Sequence, residues 1–292
     1  MAARKAIVAG QFYPDNEKEC RAEIVGCLAN RPMKEKLPEN IVAGIVPHAG
    51  WVFSGDLAAM VFSAIEKVNK TVDTFIIFGA AHSHFGTSAA VYDKGSWNTP
   101  LGEIKIDEEL AAEIMEKSKG AKANCDVHRA EHSIEVQVPF IQYIFPKAKI
   151  IPIMMPPSDY SVQLGIDTAE CIKKIRDKKI VCIGSTDLTH YGPRYGFDPE
   201  GNGPWGINWA KNVNDKAFIN LAIEMHPERI LIESMENQNA CGPGAAAATV
   251  SAAKTLGKTR GTLLAHTHSN DVMERRYGQT GSESVGYAAI VY

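Results

Sequence analysis

Four side chains that could bind a metal ion or move a proton follow the ends of apolar segments in this sequence. His48 and His82 each follow one such segment, and Asp187 and His190 follow a third. If the segments are parallel strands, their carboxyl ends meet at one edge of a sheet, which is where open α/β folds bind ligands. The spacing therefore predicts that these side chains share one pocket.

Cys241 adds a sulfur atom to this set. It lies just before Pro243, at the predicted start of an alanine-rich helix, where free amides and the helix dipole favour a thiolate. Two imidazoles and a thiolate suit zinc, copper or iron, and do not suit magnesium or calcium. Each residue alone is also typical of ordinary packing or hydrogen bonding, but together they indicate a functional site.

Glu131 and His132 form a second concentration of polar side chains, with Ser133 beside them as a possible helix cap. One interpretation is that the cluster only orders the start of a helix. The other is that it orients a ligand imidazole by accepting the second N–H of that ring. Both interpretations stay open on the sequence alone.

His266 and His268 alternate along a predicted strand, so that their side chains share one face. Such a pair can bind a metal ion, and only its geometry can decide whether it does.

The elements that must position these residues alternate between strand and helix. Continuous apolar runs indicate strands covered on both faces, and the alternation predicts a mixed, largely parallel sheet flanked by helices. We expect a single α/β domain over residues 1–292. The strands begin at Ile41, Thr74, Lys149, Ile180, Thr262 and Val285, and helices cover 55–69, 107–118, 161–177, 209–225 and the segment after Pro243.

Composition excludes several classes of partner. The 31 basic and 34 acidic residues give a net charge of -3 with no basic stripe, which argues against nucleic acid. No apolar run approaches the roughly 20 residues that a membrane helix needs. The six cysteines form no CxxC pair, so we expect reduced thiols and a cytoplasmic protein. The glycine- and proline-rich stretch 191–205 predicts a lid or binding loop.

Five segments resemble the signature segments of the Memo family. They follow one another in family order, and the resemblance covers nearly the whole chain. That family is similar in fold to the class III, LigB-type extradiol dioxygenases, so the resemblance implies a LigB-dioxygenase-like α/β fold with a metal pocket. The segments are PHAGWVFSG from Pro47, TPLGEIKID from Thr99, EHSIEVQVPF from Glu131, STDLTHYG from Ser185 and ACGPG from Ala240.

Carried over position by position, the resemblance implies that His48, His82 and Cys241 are the metal ligands. Asp187 and His190 would line the same pocket, with His190 in the place of the dioxygenases' acid–base histidine. The family is linked with redox-active copper and iron, which implies one Fe(II) or copper ion, with zinc as an alternative. In its eukaryotic members it is also linked with peptide recognition.

This chain departs from the family pattern at two places. Gly79 is followed by two alanines before His82, and His84 comes soon after, so His84 is an alternative ligand to His82. Where the family usually has a tyrosine and then Ser-Gly-Asp, this chain has His266 followed by Ser269, Asn270 and Asp271, which would alter the rim of the pocket.

Three functions are compatible with these residues. The first is a metal-dependent, dioxygenase-like oxidoreductase acting on a small aromatic molecule, in which Asp187 shares a hydrogen bond with His190, raises its pKa and orients it for proton transfer. The second is a non-catalytic module that binds a metal or a peptide in the same pocket. The third is a hydrolase with Cys241 as nucleophile and His190 as base, which leaves His48 and His82 without a role.

Overall fold

The computed structural model describes residues 3–30, 35–83 and 86–292. Within this part of the chain the strands occupy segments rich in β-branched and aromatic residues, which fit a pleated, buried surface. The strands are β1 (Ala43–Val46), β2 (Thr74–Ala80), β3 (Ala89–Val91), β4 (Ser96–Thr99), β5 (Gly102–Lys105), β6 (Ala121–Ala123), β7 (Lys149–Met155), β8 (Ile180–Ser185), β9 (His190–Tyr191), β10 (Thr262–His268) and β11 (Ser284–Val291).

The helices of the described segments cover both faces of the sheet. None of them is long and apolar enough to cross a lipid bilayer. They are α1 (Glu17–Ala29), α2 (Trp51–Asn69), α3 (Glu108–Lys117), α4 (Val138–Ile144), α5 (Tyr160–Lys174), α6 (Pro204–Trp209), α7 (Asp215–Ile223), α8 (Pro227–Asn237), α9 (Pro243–Thr255) and α10 (Ser269–Tyr277), with a π-helical turn at Ala210–Asn214.

One mixed sheet organises the molecule, with strand order β10-β11-β1-β8-β2-β7-β3-β6. Its centre is parallel, because β8 pairs in parallel with both β1 and β2, and β2 pairs in parallel with β7. The strand β11 runs antiparallel to β1 and β10 and also pairs with the short β9. The predicted α/β fold with a mixed, largely parallel sheet is confirmed.

Two large clusters of buried side chains, one on each face of the sheet, make up most of the described core, and a third, small cluster surrounds Tyr191. Along β2 the side chains alternate between the two large clusters, so that Phe75 and Ile77 pack on the α2 side and Ile76 and Phe78 on the α9 side. All seven residues of β2 are buried, which explains its continuous apolar sequence. The same double burial holds the carboxyl ends of the central strands in fixed positions.

The predicted helix boundaries were wrong in two places that matter for the site. The helix predicted to begin at residue 55 begins at Trp51, directly after a loop that carries His48. The helix predicted over 209–225 is interrupted by the π-helical turn, which ends just before Asp215. Such turns frequently occur near functional sites.

Close packing of α5 against α9 yields a test of the fold. A methyl group added at Gly165 would collide with the backbone carbonyl oxygen of Ala248, whereas one added at Gly26 in α1 would meet open space. Gly165→Ala should therefore lower the free energy of unfolding by about 1–3 kcal/mol through overpacking. Gly26→Ala should raise it by about 0.5–1 kcal/mol, because alanine loses less backbone entropy in a helix. Urea denaturation of both variants checks this, and equal effects would contradict the packing.

Candidate metal centre

Three of the predicted ligands meet at the carboxyl ends of β1 and β2. His48 and His82 follow these strands, and Cys241 lies just before α9 on the same edge. One potential ligand atom of each residue lies within 4.8 Å of the others. The Cys241 Sγ atom is 3.2 Å from His48 Nε2. The parallel pairing of β1, β8 and β2 brings these distant residues together.

The orientation of the His48 ring is set by Ser185, the last residue of β8. The hydroxyl of Ser185 donates to the carbonyl oxygen of Ser133 at 2.7 Å. Its oxygen can therefore only accept from His48 Nδ1, which lies 3.1 Å away, and Gln137 Nε2 is a second donor at 3.3 Å. The His48 proton is thereby assigned to Nδ1, so the Nε2 lone pair faces Cys241.

The ring of His82 is oriented in the same way by Glu131. Its Nδ1 atom lies 3.0 Å from Glu131 Oε1, and its backbone N–H donates to the same carboxylate. Glu131 also accepts from the backbone amides of His132 and Ser133. The carboxylate thus orders the local turn and holds the His82 imidazole. The alternative interpretation, a cluster that only caps a helix, is wrong, because the Ser133 hydroxyl donates to the Ala80 carbonyl oxygen instead.

His132 lies over the pair of histidines. Its ring stacks on His82, with centroids 5.0 Å apart, and stands edge-on to His48 at 5.4 Å. Burial lowers its pKa. Together with His82 and Glu131 it forms a second group of potential ligands, so the pocket contains more ligand-type atoms than the three that the sequence selected.

The charges of the site are strongly coupled. Burial lowers the pKa of His82, but Cys241 and Glu131 outweigh it and raise that pKa to about 10. Burial raises the pKa of Glu131, and His82 outweighs it and brings the pKa to about 2. Burial also raises the pKa of Cys241, despite hydrogen bonds from His82 and the Asp187 amide. The sequence suggested that the start of α9 favours the thiolate form of Cys241. This expectation was wrong, because burial outweighs the helix start, and a further positive charge is needed to form the thiolate.

Asp187 and His190 reach the same pocket but do not share the predicted hydrogen bond. Asp187 Oδ1 instead accepts from the His48 backbone N–H at 2.7 Å. His190 Nδ1 lies 3.1 Å from the carbonyl oxygen of Leu188. His190 begins the short strand β9, and its ring nitrogen is engaged by a backbone carbonyl group instead of the Asp187 carboxylate. The expected rise in the pKa of His190 was also wrong, because burial lowers it, whereas burial raises the pKa of Asp187 to about 7.

A cavity of about 750 Å³ opens beside these residues. Arg194 and Tyr195 from the predicted loop 191–205 line it, and the Tyr195 ring lies edge-on to His190 at 5.1 Å. Two residues of the predicted loop therefore form part of the cavity wall. The other lining residues include His132, Asp187, His190, Phe12, Val52, Phe53, Asn270, Met273, Glu283, Val285 and Tyr287.

Three further histidines were considered as possible metal ligands from the sequence. His84, the alternative to His82, is outside the described residues. His266 Nε2 pairs with Asp215 Oδ2 at 2.9 Å, and His268 caps α10 by accepting from the Asp271 amide. Among the described residues neither belongs to a group of potential metal ligands.

Sequence reasoning missed three residues that shape the site. Ser185 and Gln137 position His48, and Tyr287 lines the cavity. Ser185 could have been found as the residue that ends the strand before Asp187. Gln137 and Tyr287 lie in an irregular turn and on a different strand, so only the fold identifies them.

Comparison with known proteins agrees with the segments seen in the sequence. The chain matches the family described as Memo-like protein over residues 4–291. It belongs to the Memo family. A MEMO1 family protein of Pyrococcus abyssi is 37% identical over 298 residues, which cover 99% of this chain and 98% of that protein. MEMO1 family proteins of Methanococcoides burtonii and Nitrosopumilus maritimus are 35% and 36% identical, over 99% of this chain and 99% of each relative.

The Memo family segments found in the sequence converge in space. Four of the five carry His48, Glu131, Asp187 with His190, and Cys241, which all lie at this sheet edge. The fifth, from Thr99, contributes to β5 and the start of α3 instead. Four of the five segments thus contribute residues to the site.

The coupling of His82 to Glu131 can be measured in protein stripped of metal. Glu131→Gln removes the charge that holds the imidazolium, so the pKa of His82 should fall from about 10 toward its ordinary value of 6.5 or below. A ¹⁵N NMR titration of the ring nitrogens measures this. His268, whose pKa is lowered mainly by burial and whose neighbouring charges include neither His82 nor Glu131, serves as an internal control and should titrate as before. An unchanged His82 titration would contradict the described electrostatics.

Proposed function

We propose that this Memo family protein binds one transition-metal ion through His48, His82 and Cys241 and uses it in oxidoreductase chemistry on a small aromatic molecule. The observation that carries the proposal is the orientation of the two imidazoles. Each Nδ1 is engaged by Ser185 or Glu131, which leaves both Nε2 atoms directed toward the Cys241 sulfur. Metal-binding histidines have this arrangement, in which a hydrogen bond on one ring nitrogen orients the other.

The donor set fits such an ion. Two imidazoles and a thiolate suit iron, copper or zinc. His82 is charged in the metal-free site, and a bound cation would take the place of its Nε2 proton and help the buried Cys241 to lose its own. Fe(II) or copper is favoured for redox chemistry. When bound, such an ion supplies Lewis acidity and redox chemistry toward O₂ or an organic ligand.

His190 is the proposed proton acceptor. Its Nδ1 donates to the Leu188 carbonyl oxygen, so Nε2 carries the lone pair. Burial lowers its pKa and keeps the ring neutral at neutral pH, as a base requires. Asp187 does not orient His190 as expected. It accepts hydrogen bonds from the backbone amides of His48 and Ala49, so it holds the loop of His48, and it lines the pocket.

The cavity supports a small aromatic substrate. Its volume of about 750 Å³ is within the usual range for small-molecule sites. Phe12, Phe53 and Met273 provide apolar walls, and His132, Asp187 and His190 provide polar groups on the side of the metal centre. A few convergent polar groups in an apolar cleft are typical of such pockets.

A cytoplasmic location is part of the proposal. All six cysteines are free, including the partly exposed Cys125. Unpaired thiols are typical of a reducing compartment.

Metal content tests the ligand set. We expect about one iron, copper or zinc ion per chain in untagged protein loaded anaerobically, and Cys241→Ser combined with His48→Ala should abolish it, because only one of the three ligands remains. Elemental analysis after gel filtration measures this. Cys125→Ser, which removes a partly exposed thiol outside the group, is the control and should keep its metal. Equal metal in the double variant would refute the assignment.

Turnover tests the role of His190. His190→Ala should retain metal and fold but lose oxygenase activity toward catechols by roughly 10²- to 10⁴-fold, because the proton acceptor is gone. Oxygen uptake by Fe(II)-loaded protein measures this. His226→Ala, at a half-exposed histidine before α8, should leave the rate unchanged.

The same experiments separate catalysis from binding alone. If metal is bound but a broad catechol and phenol screen with Fe(II) or copper gives no turnover, the non-catalytic metal- or peptide-binding module takes the place of the enzyme.

A further inference from the structure

Tyr287 on β11 is placed against the metal centre by strand alternation. Val285 and Tyr287 point to the same face of the strand, and both line the cavity. Gly286 between them faces the opposite side, where any side chain would collide with the Asp215 carboxylate. Val285 is also in register with His190 of β9. The alternation therefore fixes Tyr287 on the cavity side, close to His190.

The Tyr287 side chain is only 2% exposed, and no hydrogen bond joins its hydroxyl to another group among the described residues. The hydroxyl is not one of the fully buried polar atoms that lack a partner, so its remaining exposure faces the cavity that the side chain lines. Two other buried tyrosines donate to carbonyl oxygens of the protein. The hydroxyl of Tyr191 donates to the Gly201 carbonyl oxygen at 2.9 Å, and that of Tyr292 to the Ala222 carbonyl oxygen at 3.1 Å. A tyrosine hydroxyl that reaches a cavity without a partner in the protein can donate to a ligand bound there.

The surroundings of Tyr287 keep it a donor. Burial, and then the nearby charge of Asp187, raise its pKa well above the ordinary value of 10.0. Its proton therefore stays on the phenolic oxygen at neutral pH. A neutral donor forms a stronger hydrogen bond with an anionic acceptor than with a neutral one.

We propose that the Tyr287 hydroxyl donates a hydrogen bond to a deprotonated phenolic oxygen of the molecule that binds beside the metal centre. This inference rests on the proposed function, and it adds a residue that selects the ligand. The cavity would then prefer hydroxylated aromatic rings over rings without an oxygen. Tyr287 and His190 would contact the ligand from neighbouring strands.

The test compares Tyr287→Phe with Tyr292→Phe in zinc-loaded protein, with 4-nitrocatechol as the probe. Zinc has no redox chemistry, so binding is measured without turnover. Tyr287→Phe should bind the probe about 10- to 100-fold more weakly, as expected for losing one hydrogen bond to a charged oxygen. Its zinc content and melting temperature should stay unchanged, because the hydroxyl has no partner in the protein. Tyr292→Phe, which breaks a buried hydrogen bond outside the cavity, should show the converse: a lower melting temperature and unchanged probe affinity.

The spectrum of the bound probe gives a second measurement. 4-Nitrocatechol changes colour on losing its phenolic protons, and a donor to the phenolate stabilises the deprotonated form. In Tyr287→Phe the pH at which the bound probe loses its last proton should therefore rise. A purely structural tyrosine would not produce this shift.

The outcomes are distinguishable from failure of the proposed function. If the unaltered protein takes up zinc and both tyrosine variants bind the probe equally, the assignment of Tyr287 is overturned and the metal centre stands. If zinc is bound but the unaltered protein does not bind the probe, the assignment of Tyr287 is again overturned. If the unaltered protein takes up no zinc, the proposed function fails, and the assignment of Tyr287 fails with it.

Discussion

The site depends on the hydrogen bonds that engage the Nδ1 atoms of His48 and His82. Ser185 and Glu131 form them, and each partner is itself held, by the Ser133 carbonyl oxygen in one case and by backbone amides in the other. A ring whose first nitrogen is fixed has only one nitrogen left to offer, so its direction and protonation are set before any ligand arrives. The parallel pairing at the centre of the sheet brings these two rings close to Cys241.

Much of the fold and the location of the site could be predicted from local sequence. Double burial makes β1, β2 and β8 continuous apolar runs, and polar residues at their carboxyl ends identify the edge where ligands bind. The partners of those residues could not be predicted in the same way. The Asp187–His190 hydrogen bond was inferred from spacing, but spacing does not decide the direction of a side chain, and the His190 ring, at the start of β9, is engaged by the Leu188 carbonyl oxygen instead.

Burial acts against ionisation at almost every group of this site. It lowers the pKa of His48, His132 and His190 and raises that of Asp187 and Cys241. Only His82 and Glu131 escape, because each stabilises the charge of the other. Apart from the His82–Glu131 ion pair, the metal-free pocket is thus poor in charge, so a bound cation would dominate its electrostatics.

The position of β11 has a consequence for how the molecule assembles. The strand is the last of the described strands along the chain, yet it lies inside the sheet, between the edge strand β10 and β1, and pairs Val291 with Gly44. Contacts between such distant residues close a long loop and form slowly. During synthesis on the ribosome β1 therefore cannot pair with its antiparallel neighbour until the residues of β11 have been made. Until then one side of β1 lacks its strand partner and the cavity lacks a wall, so newly made chains depend on this late step to become competent to bind.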